Sequence, residues 1–444
     1  MTLERAPGLI VAAPASGGGK TTVTLGLLAA LRRQGLAVAS AKVGPDYIDP
    51  SLHRAATGRE ALNLDGWAMA PRLLDSLMAR ASENADVLIC EGVMGLFDGA
   101  AGPGFTNCGS TAEIAARSGW PVVLVVDMRG QSQSVAALVH GFKTFRADVT
   151  LAGVILNRIG SDRHRQMATE ALGDIGVPVF GAVPRSEALA LPERHLGLVQ
   201  AEDSPELDAR LAAFADMISE HVALDALLAA ARPTEVASKG GEGACLPPLG
   251  QRIAVAHDAA FTFRYGHLLD GWRRGGAEIV FFSPLADEAP PRDADAVYLP
   301  GGYPELHAER IASATTFLDG LRRFARTRPV YGECGGHIVL GRSLEVTPGR
   351  HMEMAGLLGH STSFAQRHLY LGYRRAVLSS DCALGRAGRV LTGHEFHYVA
   401  TSDAGTDPPL FHCHAADGRD LGAMGSRRGH VLGSFFHVIS GAPA

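Results

Sequence analysis

Residues 9–22 read LIVAAPASGGGKTT, and this stretch decides the fold of the first half of the chain. An unbroken apolar run, Leu9–Ala13, leads into Gly17, Gly18 and Gly19, then Lys20, Thr21 and Thr22. A helical pattern follows over Thr22–Arg33. A buried strand, a glycine-rich turn and a helix start together form a phosphate cradle. Glycines let backbone N–H groups close on phosphate oxygens, and the helix N-terminus adds a favourable field. Lys20 is placed to neutralise β/γ-phosphate charge, and the Thr21 hydroxyl to reach Mg²⁺. The common motif has glycine six residues before the lysine. Here that residue is Pro14, so the loop is a variant.

Outward from this loop, short apolar runs alternate with helical stretches. The runs are Ala37–Val43, Val87–Cys90, Val122–Asp127, Gly153–Leu156 and Val177–Gly181, and Thr111–Arg117 is one of the helical stretches. Continuous apolar strands separated by helices predict an α/β domain with a doubly wound, mostly parallel sheet. Ligands of such sheets bind beyond the carboxyl ends of the strands. Two segments end strands there, KVGPDYIDP (42–50) and EGVMGLFDG (91–99). Asp46 and Glu91 are therefore expected as metal-holding or substrate-orienting carboxylates. Asp98 is expected to orient a substrate carboxylate or handle a proton, and Asp49 reads equally well as a turn cap.

The composition shifts at residues 232–250, RPTEVASKGGEGACLPPLG, which read as a linker. It divides a nucleotide domain, 1–231, from a second α/β domain, 251–444. Strands are expected at Ile253–Ala256, Ile279–Phe282, Ala296–Leu299 and Val330–Gly332, with late strands near Phe411 and over Val431–Phe436. Cys334 follows the Val330 strand and precedes Gly335-Gly336 and an apolar helical run. That context exposes a nucleophile at a sharp turn and aims helix N–H groups at developing negative charge. Leu299-Pro300-Gly301-Gly302-Tyr303 ends another strand, so Gly301, Gly302 and Gly335 are candidate oxyanion-hole residues. His437, read as the end of the last strand, is the candidate base. The chemistry expected is attack of Cys334 on the glutamine amide, giving a thioester and ammonia. Ile439 stands where a third, acidic member would be expected two residues after His437.

Bulk properties narrow the classes. At 444 residues the chain exceeds one ordinary core. A net charge of −5 gives no electrostatic case for nucleic acid. No stretch approaches a membrane span. Six cysteines, at 90, 108, 245, 334, 382 and 413, show neither metal-type pairing nor a disulfide framework, which suits a reducing cytoplasm. His394 and His397, and His412 and His414, have spacings that zinc sites use. Without cysteines at matching spacing, structural or substrate-contacting roles are favoured.

Several strings resemble one family: KVGPDYIDP, EGVMGLFDG, VVDMRGQSQS, GVILNRIGS, LPGGYPE, PVYGECGGH, GHEFHY and GSFFH. They span nearly the whole chain in order. The chain resembles the cobyrinic acid or hydrogenobyrinic acid a,c-diamide synthases, a dethiobiotin synthetase-like P-loop domain fused to a glutaminase domain. The resemblance implies that Asn157 contacts adenine, that Tyr47 and Ile48 meet the corrinoid, and that Lys42 lies near the transferred phosphate. It implies ATP and Mg²⁺, with two carboxylates amidated through acyl phosphates. A closed passage would keep the ammonia unprotonated. Expected partners are the corrinoid polycarboxylate and glutamine, with a homodimer among the expected assemblies. Hydrogenobyrinate is favoured. Cobyrinate, or another tetrapyrrole such as a nickel-sirohydrochlorin, stays open as substrate. A partitioning ATPase would carry an extra lysine early in the loop, where this chain has Ala13-Pro14-Ala15-Ser16, and would have no use for Cys334 and His437.

Overall fold

The computed structural model describes residues 5–186, 193–194, 197–198, 206–235, 246–365 and 367–441. The chain forms two compact units. The first runs to Gly243 and the second from Ala244, with Ala68–Ala70 grouped with the second. Residues 236–245 of the expected linker, Cys245 among them, lie outside the described residues.

The first unit holds strands β1 (Gly8–Ala12), β2 (Val38–Val43), β3 (Leu62–Leu64), β4 (Val87–Glu91), β5 (Val122–Asp127), β6 (Leu151–Ile159) and β7 (Val179–Pro184). They form one sheet in the order β3-β2-β4-β1-β5-β6-β7. Every pairing in it is parallel. A two-residue ribbon follows, β8 (Glu193–Arg194) against β9 (Gly197–Leu198). The helices are α1 (Lys20–Arg33), α2 (Ile48–Thr57), α3 (Pro71–Ala81), α4 (Thr111–Ser118), α5 (Val135–Thr144), α6 (Asp162–Asp174), α7 (Leu207–His221) and α8 (Leu224–Ala230).

The apolar strands are buried on both faces because helices cover both. α1 buries Val23, Leu25, Leu27, Leu28 and Leu31. Each such side chain contributes about 2 kcal/mol by leaving water. Gly26 lets α7 come close: a methyl there would lie 2.5 Å from Ile218 Cγ1 and 2.9 Å from the Phe214 carbonyl. Strand β3 was missed at the sequence level because it is only three residues long and has polar Asn63 at its centre.

The second unit begins with β10 (Arg252–Ala256), α9 (Gly266–Arg274), β11 (Glu278–Phe282), β12 (Ala296–Leu299), α10 (Ala308–Ser313), α11 (Thr315–Phe324), β13 (Val330–Glu333) and α12 (Gly335–Leu340). Strands β14 (Ser343–Thr347), β15 (Arg350–Glu353), β16 (Ser361–Ser363), β17 (Tyr370–Leu378), β18 (Val390–His397), β19 (Ala400–Asp403), β20 (Phe411–Ala415), β21 (Asp420–Met424), β22 (Ser426–Arg428), β23 (Val431–Ser434) and β24 (His437–Gly441) follow. The central sheet runs β11-β10-β12-β13-β23-β22, and all but the β22 edge is parallel. A second sheet runs β21-β20-β17-β18-β24 and is antiparallel throughout.

Val431–Phe436 is not a single strand ending at His437. β23 stops at Ser434, and His437 opens β24 in the other sheet. The Ser434 hydroxyl accepts the Phe436 N–H at 3.1 Å, turning the chain between sheets. The run of apolar residues hid this corner.

Two candidate active sites

In the first unit, β1 delivers its loop at the carboxyl edge of the sheet. Gly17 and Gly19 adopt φ of 77° and 87°, which side chains resist. Asn157 at the end of β6 donates from Nδ2 to the Gly18 carbonyl at 2.8 Å. Arg158 Nη1 donates to the Gly17 carbonyl at 2.9 Å. In this structure the Asn157 amide therefore braces the loop. Arg158, with φ of 63° and an ion pair to Asp127, is a loop contact that the sequence reading did not anticipate.

Behind the loop lies a buried charged cluster. β2 and β4 are in register with Lys42 opposite Glu91. Glu91 accepts from Thr21 Oγ1 at 2.7 Å and from Lys42 Nζ at 3.0 Å. Its other oxygen is 2.8 Å from His53 Nε2. Lys42 also pairs with Asp49 at 2.5 Å and donates to the Gly92 carbonyl. Burial alone would raise the Glu91 pKa, but Lys42, His53 and Lys20 outweigh it and hold the carboxylate ionised. For Lys42, burial is likewise outweighed by Asp49, Glu91 and Asp46, so it stays charged. Burial, helped by Asp46, lifts Asp49 to about 6 against the pull of Lys42. Lys20 is shifted down by burial and then by Lys42, with Glu91, Asp49 and Asp46 opposing. A partly buried cation at the mouth of the loop, its pKa shifted down, suits an anionic ligand, which would favour the charged form.

The Thr21 hydroxyl and the Glu91 carboxylate form a pair of hard oxygen donors at the start of α1, which fits Mg²⁺. Asp46 Oδ1 accepts from the Ile48 and Asp49 N–H groups at 2.8 and 3.0 Å, so it fastens the start of α2. Tyr47 and Ile48 open that helix and are buried. Asp98 is exposed, and its Oδ2 accepts the Gly95 N–H at 2.9 Å in a turn. Thr22 lies in the first turn of α1, half-buried. The sequence reading did not use His53. Its signal is the i,i+4 spacing from Asp49 on α2, which puts both on one helix face.

In the second unit, β12, β13 and β23 are adjacent and parallel, so their carboxyl ends align. Cys334 follows β13 with φ 45° and ψ −103°. A non-glycine residue there stores about 1–3 kcal/mol of strain. Its N–H is tied to the Ser434 carbonyl at 2.8 Å, and its carbonyl accepts from Ile338 at 3.0 Å. Gly301 lies just beyond β12. A methyl added there would fall 2.6 Å from His437 Cε1 and 3.3 Å from Cys334 Cβ. Thiol, imidazole and glycine backbone thus converge on one point, and only glycine leaves room. A methyl on Gly335 would meet the Gly302 nitrogen at 2.9 Å, so those two backbones also lie side by side.

Burial holds Cys334 as the neutral thiol, Glu305 adds to this, and a hydrogen bond from the Gly335 N–H pulls the other way. Burial, with His394 and His397 adding, keeps His437 neutral against Glu395. A neutral imidazole beside a neutral thiol is the resting state that a general base requires.

The acid nearest His437 among the described ion pairs is not two residues after it but immediately before the cysteine. Glu333 Oε2 is 3.8 Å from His437 Nδ1. Tyr298 and Tyr331 hydroxyls donate to its two oxygens at 2.8 and 2.7 Å, and the Val438 N–H donates at 3.2 Å. Burial raises Glu333 to about 7 even against these three donors. His394 bonds Tyr265 at 3.1 Å and His397 the Val399 carbonyl at 3.0 Å, which are structural roles.

Glu333→Gln tests the coupling. Below the ordinary carboxylate range both folded and unfolded forms hold the proton, and ionisation costs nothing. As pH rises through about 7 the fold must carry a buried anion, so wild-type stability falls relative to the variant. Thermal unfolding at pH 5 and pH 8 should show the wild type losing more than the Glu333→Gln variant does. Glutaminase activity should rise with pH through about 7 in the wild type and lose that limb in the variant. Identical profiles would remove Glu333 from the site.

A P-loop unit joined to a cysteine–histidine unit of this geometry defines a glutamine amidotransferase with its own nucleotide-binding domain. Residues 9–199 match the CobQ/CobB/MinD/ParA nucleotide binding domain, and residues 252–444 the CobB/CobQ-like glutamine amidotransferase domain. The chain is 53% identical over 437 residues to a hydrogenobyrinate a,c-diamide synthase of Mesorhizobium japonicum, covering 98% of this chain and 99% of the relative. It is 52% identical to the Agrobacterium fabrum protein of that name over 97% of this chain and 98% of the relative. The Rhodobacter capsulatus protein of that name is 53% identical over 99% of this chain and all of the relative (100%). The chain belongs to the hydrogenobyrinate a,c-diamide synthase family. Among the described residues no helix is long and apolar enough to cross a membrane.

Proposed function

We propose that the chain amidates the a and c carboxylates of hydrogenobyrinic acid, using ATP and glutamine, in cobalamin biosynthesis. The observation that carries this reading is the meeting of Cys334, His437 and Gly301 in a chain that also carries the Lys20–Thr21–Glu91 cluster. The names of its full-length relatives support the substrate.

At the second unit, His437 takes the Cys334 proton as sulphur attacks the glutamine carbonyl. Gly302 and Gly335 N–H groups, with Gly301 leaving the space, are assigned to the oxyanion. The C–N bond breaks, His437 returns the proton to the leaving nitrogen, and ammonia departs. Water then releases glutamate from the thioester. Glu333 balances the imidazolium that forms in between.

At the first unit, Gly17, Gly18, Gly19, Lys20, Thr21 and Thr22 are assigned to the ATP phosphates. Thr21 and Glu91 would hold Mg²⁺, which would supply charge neutralisation to the phosphates. A substrate carboxylate oxygen attacks the terminal phosphorus and ADP leaves, giving an acyl phosphate. Lys42 offsets the charge being transferred. Ammonia attacks the acyl carbon, phosphate leaves and a proton is released. Activation is needed because hydroxide is too poor a leaving group. Asn157 is assigned to adenine once the loop is filled. Tyr47, Ile48, Asp46 and Asp98 are assigned to the substrate side, and the cytoplasm is the proposed compartment.

Mass spectrometry of products tests the substrate. With ATP, glutamine and hydrogenobyrinate, two carboxyls should become amides. Turnover of cobyrinate or a nickel-sirohydrochlorin, with none of hydrogenobyrinate, would overturn it.

A further inference from the structure

Two histidines that this chemistry does not use lie on β20. His412 and His414 are two residues apart on an extended strand, so both side chains leave from one face. β21 runs antiparallel beside them and sets Asp420 opposite His414, after a bulge between Cys413 and His414. His412 Nε2 is 2.8 Å from Asp420 Oδ1, and the two imidazole centroids are 5.1 Å apart. One donor atom from each of the three residues falls within 4.8 Å of the others. No other group of three or more His, Cys, Asp or Glu side chains meets this measure among the described residues. His412 and Asp420 are exposed and His414 is half-buried, so the group opens to solvent.

We propose that His412, His414 and Asp420 form a surface site for a borderline divalent transition-metal cation, for which Zn²⁺ is the probe. Two imidazole nitrogens and one carboxylate oxygen suit zinc, nickel or copper, whereas magnesium and calcium prefer all-oxygen sites. Around a tetrahedral zinc with ligands at about 2.0–2.1 Å, neighbouring donor atoms stand about 3.3 Å apart. The His412–Asp420 pair opens slightly from 2.8 Å to reach that spacing, and no pair has to close by more than about 1.5 Å. Exposed side chains make such movements at low cost. Asp420 is already oriented, because its Oδ1 accepts the Gly422 N–H at 2.7 Å. Three protein ligands leave a coordination position for water or an outside ligand. Arg375 of β17 stands opposite His414 and brings a cation to this face, which limits the affinity. β17 and β18 separate β20 from β24, so the site is roughly 14 Å from the His437 strand.

The test is calorimetric titration of the full-length chain with Zn²⁺, repeated on His412→Ala/His414→Ala and on the isosteric Asp420→Asn. The wild type should bind an equivalent of zinc that the double variant lacks. Asp420→Asn should bind it more than about tenfold more weakly. Electron paramagnetic resonance with Cu²⁺ should show coupling to two imidazole nitrogens in the wild type and not in the double variant. Circular dichroism and glutamine-dependent amidation without added transition metal should stay at wild-type levels, which separates this site from the proposed reaction. Unchanged zinc stoichiometry and affinity in the double variant, or no saturable binding in the wild type, overturns the proposal.

Discussion

Cys334→Ala should lower glutamine-dependent amidation by about four orders of magnitude or more while leaving amidation from ammonium salts near the wild-type rate. The size follows from the role: without sulphur there is no thioester, and the remaining backbone donors cannot cleave an amide alone. The sparing of the ammonium reaction follows from the separation of labour. Lys20, Thr21 and Glu91, to which activation of the carboxylate is assigned, sit in a different compact unit and are untouched by the change. The change also removes only a small buried side chain, so thermal unfolding should shift little. A loss of both activities with the fold intact would refute the division.

Lys20→Ala should give the opposite pattern, with amidation lost by about 10³-fold or more from either nitrogen source. Lys20 is partly buried near Lys42, and the charges facing it are Glu91, Asp49 and Asp46. On the proposed reading, removing it takes away a cation assigned to the ATP phosphates. Lys42 compensates only in part, because Asp49 and Glu91 already hold it at 2.5 and 3.0 Å. Measuring turnover with glutamine and with ammonium side by side reads the result. Retained ammonium-dependent turnover would show that Lys20 does not serve the phosphates.

Much of this was legible in the sequence, for reasons that differ by element. The parallel strands announced themselves because burial on both faces leaves an unbroken apolar run, as in Val122–Asp127. Cys334 and Gly301 could be picked out because sharp strand ends need glycine around them. Glu333 was overlooked although it is the neighbour of Cys334. The pattern legible along the chain is an acid just after His437, whereas Glu333 comes from β13: its register with β23 sets it opposite Ser434, and the corner after Ser434 carries His437 to within 3.8 Å of it. His53 and Arg158 were missed for a related reason, since each acts through a partner far away in sequence. Asp420 is the same case: two histidines on one strand gained a third donor from a strand whose register no local pattern records.

The buried, strained setting of Cys334 has a consequence for the molecule in a living cell. Oxidants and alkylating agents react with exposed thiolate sulphur, and this sulphur is neither exposed nor ionised at rest. Reaction of Cys334 with peroxide or alkylating agents is therefore expected to be slower than that of an exposed, ionised thiol.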